Sequence, residues 1–119
     1  MITGLDHVQV AAPPGSEAEA RGFYGRLLGL PEVEKPEPLA ARDGVWFGCG
    51  PQQLHVGIAA DFTPASKAHP ALAAGDLSAL AERLTLAGAA VHWDDAIPSV
   101  ERFYTEDPWG NRLELVASG

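Results

Sequence analysis

Two short strands, alike in form and 59 positions apart, constrain this chain most. Leu54-His55-Val56-Gly57-Ile58 and Leu113-Glu114-Leu115-Val116 are apolar runs, each carrying one side chain of a metal-ligating type. Two further histidines, His7 and His69, stand at the openings of earlier strands and are 62 positions apart. A chain that repeats its strands at a fixed interval is built from two copies of one supersecondary unit.

The stretches between them agree. Leu5–Val10 alternates, with Val8 and Val10 on one face and Leu5, His7 and Gln9 on the other, as a half-buried strand does. Ala11-Ala12-Pro13-Pro14-Gly15 breaks it, and Ser16 is placed to cap a helix with Glu17 and Glu19 in its first turn. Residues 17–28 set Ala20, Phe23, Tyr24, Leu27 and Leu28 at helical spacing, and Gly29 takes the position of a C-terminal glycine cap. Pro31 to Leu39, with three prolines, reads as an edge strand or a loop. Strands follow at 44–48 and 53–58, separated by Cys49-Gly50-Pro51.

After a linker at 61–67 the order returns. His69 to Ala74 is a short strand, weakened by Pro70. Asp76 or Ser78 can cap a helix from Leu77 to Ala87 that ends at Gly88. Strands follow at 89–93, 102–105 and 112–116, the last two joined by a Pro108-Trp109-Gly110-Asn111 turn. Setting His55 on Glu114 sets Trp46 on Thr105 and Pro51 on Gly110 without a gap, and Gly29 falls on Gly88. The first strands carry three extra residues of offset, which this reading assigns to the Ala-Ala-Pro-Pro-Gly loop, because loops tolerate insertion. The expected fold is α+β: two β-α-β-β-β modules from an internal duplication, forming a half-open curved sheet. Module 1 covers about 1–60, the linker about 61–67 and module 2 about 68–119 of a single domain.

Composition removes several function classes. A net charge of −8, with only two lysines, argues against nucleic acid as a partner, which needs a basic footprint. The one cysteine, Cys49, rules out an intrachain disulfide and a thiolate metal cluster, and reads as a small residue near a turn. No apolar run approaches the roughly 20 residues that span a bilayer, and the first residues do not look like a signal peptide. The expectation is a cytoplasmic protein with no membrane partner.

The duplication makes His7 the counterpart of His69, and His55 the counterpart of Glu114. Three imidazoles and a carboxylate on rigid strands suit one divalent metal: zinc, nickel, cobalt, manganese or iron. His92, outside this pattern, reads as a structural histidine. Trp46, Trp93, Phe103, Tyr104 and Trp109 are candidates for an apolar lining, Trp109 reading first as a turn residue or a dimer contact. Arg102 is a candidate to orient an anionic substrate. Glu101, Tyr104 and Glu106 are candidates for a general base, and the sequence selects none of them.

Three segments carry a resemblance: Leu5-Asp6-His7-Val8, the helix end from Phe23 to Leu30, and Asp107-Pro108-Trp109-Gly110-Asn111-Arg112-Leu113-Glu114-Leu115. Through them the chain resembles the vicinal oxygen chelate superfamily, which includes glyoxalase I, extradiol dioxygenases, methylmalonyl-CoA epimerase, fosfomycin-resistance enzymes and bleomycin-binding proteins. The resemblance spans essentially the whole chain. It implies ligands on the first and fourth strands of each module, where His7, His55, His69 and Glu114 fall. It further implies a substrate chelated through neighbouring oxygens, with Glu114 able to leave the metal and act as base. His55 departs from the glyoxalase pattern, which usually has a carboxylate there, and His69 departs from the dioxygenase pattern of His, His and Glu. The poverty in cations argues mildly against glutathione or coenzyme A substrates. Three activities stay open: a metal-dependent lyase or isomerase, an oxygen-using Fe(II) dioxygenase, and a non-catalytic binder of the bleomycin-resistance type. Small relatives of this kind are typically homodimers, and whether the ligand pairs combine within one chain or between two is left open.

Overall fold

The computed structural model describes residues 1–118. The chain folds as two compact units, one spanning Met1–Thr63 and the other beginning at Pro64. In the first unit, β1 (His7–Ala12), β2 (Glu32–Val33), β3 (Val45–Cys49) and β4 (Gln52–Ile58) form an open sheet in the order β1-β4-β3-β2. β1 runs parallel to β4, as the helical crossover between them requires, and the other pairs are antiparallel. The second unit repeats this with β5 (Ala71–Ala74), β6 (His92–Trp93), β7 (Arg102–Glu106) and β8 (Arg112–Ala117), in the order β5-β8-β7-β6. The fold is the expected α+β duplication.

Each unit puts its helix on one sheet face and leaves its ligand-type residues on the other. In the first, Val10, Ala12, Val45, Phe47, Leu54 and Val56 are buried with Ala20, Phe23 and Tyr24 of the helix. Tyr24 packs against Phe47 at 6.0 Å between ring centroids and edge-on to Phe23 at 5.0 Å. In the second, Phe103, Leu113 and Leu115 are buried with Leu77, Ala81 and Leu84 of α2 (Leu77–Leu86). These side chains alternate along the strands with the residues at 46, 55, 104 and 114, so the period of two settles which face each one takes.

The helices differ in a way the sequence does not announce. α2 is regular: Asp76 caps it by accepting from the Ala79 N–H at 3.0 Å, and Ala89 N–H closes on the Leu84 carbonyl around left-handed Gly88. The first helix begins as α1 (Glu17–Ala20) and continues as a π-helical segment, Arg21–Leu27. Its Leu28 N–H reaches the Phe23 carbonyl, five residues back, at 2.9 Å. Ser16 does not cap it; its hydroxyl donates instead to the Pro13 carbonyl. From cap position to left-handed glycine the first helix spans one residue more than the second, and the π turn absorbs that residue. The three-residue excess of the first module is therefore divided, two in the loop and one in the helix.

The strand register corrects the gapless match as well. Trp46 pairs with His55 and Tyr104 pairs with Glu114, so Trp46 is the counterpart of Tyr104 and not of Thr105. Thr105 lies on the core face, 1% exposed. The β7–β8 turn holds the additional residue. Its form comes from Asp107, whose carboxylate accepts the Trp109 N–H at 3.1 Å, the Asn111 N–H at 2.8 Å and the Asn111 side-chain amide at 2.8 Å. Gly110 makes the bend at φ +92°.

Candidate metal centre

In the first unit, β4 presents His55 from the sheet face opposite the helix, yet His55 is only 4% exposed. Two flanking rings bury it. Trp46, its partner on β3, stacks on one side at 3.8 Å and 3°, and His7 on the other at 4.2 Å and 19°. His55 Nε2 donates to Gln53 Oε1 at 2.9 Å, and His7 Nδ1 donates to Asp6 Oδ1 at 2.9 Å. Burial depresses the basicity of His55, and the neighbouring His7 adds to this, with Asp6 acting in the opposite sense. The ring is thereby held neutral, the form that coordinates metals.

In the second unit, His69 lies two residues before β5 rather than within it. Pro70 has no N–H to give the ladder, but its carbonyl accepts the Glu114 N–H at 3.0 Å and brings His69 alongside β8. His69 Nδ1 donates to the Lys67 carbonyl at 2.9 Å, and Nε2 faces Glu114 Oε1 at 3.0 Å. Glu114 is 9% exposed, and its second oxygen accepts from Arg102 Nη1 at 3.2 Å. Burial alone would raise the Glu114 carboxyl, but hydrogen bonds and charge from His69 and Arg102 outweigh it and hold the group below the usual carboxylate range.

The donor chemistry fits a divalent cation. His69 has one nitrogen fixed on a backbone carbonyl and the other turned to a carboxylate, so a single proton is shared where a metal would bind both groups. Arg102 fixes the orientation of that carboxylate. The donors occur as two pairs: among the described residues, no three of the histidine, cysteine, aspartate and glutamate side chains gather as one ligand cluster.

Several expected roles are revised. Trp93 lies on the core-side face, against Phe103 at 5.1 Å and opposite to Glu114, because it pairs with Phe103 in the ladder. It therefore does not join the site in its unit. Phe103 is itself wholly buried in the core. Arg102 is on the Glu114 face but is already occupied, with Nη1 on Glu114 and Nη2 on Asp94 at 3.3 Å, so its charge is met within the chain. Tyr104 does sit at the site, edge-on to His69 at 5.6 Å between ring centroids. Glu101 and Glu106 are exposed. Two contributors went unforeseen, Gln53 and Asp94, since a side chain that only orients another leaves no spacing pattern.

A glyoxalase-like domain model matches residues 9–116. The chain belongs to that family. It is thereby a member of the vicinal oxygen chelate superfamily. A glyoxalase family protein from Bacillus anthracis has a crystal structure with a TM-score of 0.94 and 47% identity, the match covering 100% of this chain and 98% of that one. The lactoylglutathione lyase of Agrobacterium tumefaciens is similar in fold, with a TM-score of 0.74 at 22% identity over 98% of this chain and 95% of that one. The fosfomycin resistance protein FosX of Listeria monocytogenes gives 0.77 at 15% identity, over 100% and 96%. No functionally curated protein matches the glyoxalase-like chain. Among its described residues no helix is long and apolar enough to cross a membrane.

Proposed function

We propose that this glyoxalase-like protein is a metal-dependent lyase or isomerase, active as a homodimer on a small oxygenated substrate. The observation that carries the reading is the His69–Glu114 pair, with Nδ1 anchored on the Lys67 carbonyl and Oε2 anchored on Arg102. A hydrogen-bonded imidazole and carboxylate, each oriented by a further partner, is the form that such a ligand pair takes when a proton stands in for a cation. Each pair, His7 with His55 and His69 with Glu114, supplies ligands suited to the metal, zinc, nickel, cobalt, manganese or iron being compatible with them.

When bound, the metal supplies Lewis acidity toward neighbouring oxygens of the substrate. The chain does the rest. Glu114 is ionised at neutral pH, so Oε1 can accept a proton from substrate carbon while Arg102 keeps Oε2 in place. His69, anchored through Nδ1 on the Lys67 carbonyl, keeps Nε2 beside Oε1 and so fixes that oxygen's position. Trp46 and Tyr104 restrict water around His55 and His69 respectively, which strengthens the polar interactions there.

The direct test is metal content after expression with each cation and removal of excess. About one divalent ion per chain is expected, lost in His55→Ala and in Glu114→Gln. Stoichiometry near zero in the wild type would refute the metal-dependent reading and leave family membership untouched.

A further inference from the structure

We propose that Arg112 grips the anionic end of the substrate, so that the substrates are small oxygenated acids whose carboxylate lies beyond the chelating oxygens. This deepens the metal-dependent reading and rests on it. The chain has 16 acidic against 8 basic residues, yet among the described residues the guanidinium groups of Arg42 and Arg112 have no carboxylate partner, and of these two Arg112 is the one on the Glu114 face of β8. Arg21 is paired with Glu32, and Arg102 with Glu114 and Asp94. Among the described residues, the Arg112 side chain has neither an ion pair nor a hydrogen bond, and its guanidinium carbon lies over the Tyr104 ring at 4.2 Å from the centroid.

That placement suits a ligand. A guanidinium held over an aromatic face keeps N–H groups for a carboxylate and has already given up part of its rotamer freedom. Positions 112 and 114 share a face of β8, with α-carbons about 6.6–6.8 Å apart at the strand rise. The cation edge is thus one side-chain step from the Glu114–His69 pair. Arg102, the other arginine on this face, cannot take the role while it holds Glu114.

The test compares binding of 2-hydroxyglutarate with that of its side-chain amide, 4-carbamoyl-2-hydroxybutanoate. Both keep the same hydroxy-acid head, and only the remote charge differs. The wild type should prefer the acid by about tenfold, the scale of one charge-assisted contact. Arg112→Gln should bring the ratio near one, and Arg112→Lys should leave part of it. Arg83→Gln on α2, an equal change in net charge, should leave the ratio unchanged. A wild-type ratio near one, or a full preference surviving in Arg112→Gln, would overturn the assignment. Metal content measured on the same samples reports separately on the metal-dependent reading, since the ratio is scored with or without metal.

Discussion

Asp107→Ala should destabilise the second unit severely, and the reason is local. The Asp107 carboxylate is 5% exposed and accepts three N–H groups, two from the backbone of the turn and one from Asn111, which is itself 9% exposed. Alanine leaves these donors without that acceptor in a place water reaches poorly. Each hydrogen bond to a charged acceptor is worth about 1.5–3 kcal/mol, but the three share one group and are not additive. A cost of about 3–5 kcal/mol follows, a large part of the stability of a small protein. Asp107→Asn should fall between, because one amide oxygen can still serve the two backbone N–H groups while its NH₂ opposes that of Asn111. Urea denaturation followed by circular dichroism would give the midpoints at unchanged slope. A loss below about 1 kcal/mol in Asp107→Ala would refute the view that this carboxylate builds the turn.

Two further outcomes follow from geometry and charge. Gly44 has φ +105°, and a Cβ there would stand 2.5 Å from the Val56 carbonyl oxygen, so Gly44→Ala should cost about 2–4 kcal/mol by denaturation. The Glu114 carboxyl is held below its unfolded value, so its stabilising contribution is full above about pH 4.3 and disappears as pH falls through the lower folded value. Glu114→Gln should flatten the acid limb of the stability–pH curve, and an unchanged limb would contradict the pairing with His69 and Arg102.

The fold was legible because its signals repeat. Alternation at Val8–Val10 and the paired glycines Gly29 and Gly88 are periodic or punctuating features, which local physics reads directly. The four ligand-type residues stood out because the duplication pairs them. Single-residue shifts were not legible. The extra residue in the first helix widens one turn without interrupting the apolar spacing, so the spacing does not distinguish it from an insertion in the loop. Trp93 shows the same weakness in a strand: one position decides the face, and a two-residue strand such as β6 has no alternation to reveal it. The engagement of Arg102 was hidden for another reason, since its partners at 94 and 114 lie on separate strands or loops and are joined only by pairing.

The corrected register bears on how this chain can be recombined. Between register-equivalent positions of the second and fourth strands, 33 and 53 in the first half and 92 and 112 in the second, lie blocks of equal length, 34–52 and 93–111, which is why the halves align without a gap. Inside each block, however, the third strand stands one residue out of step with its counterpart, the longer loop before β3 being balanced by the longer turn after β7. Grafting β7 onto the β3 positions by that alignment would turn the strand over, sending Tyr104 inward and Phe103 out. Exchanged as a whole, loop, strand and turn together, the block keeps its facing. The unit of inheritance here is thus larger than the strand, and shuffled libraries of this fold should be cut at residues 33 and 53 rather than at the ends of the third strand.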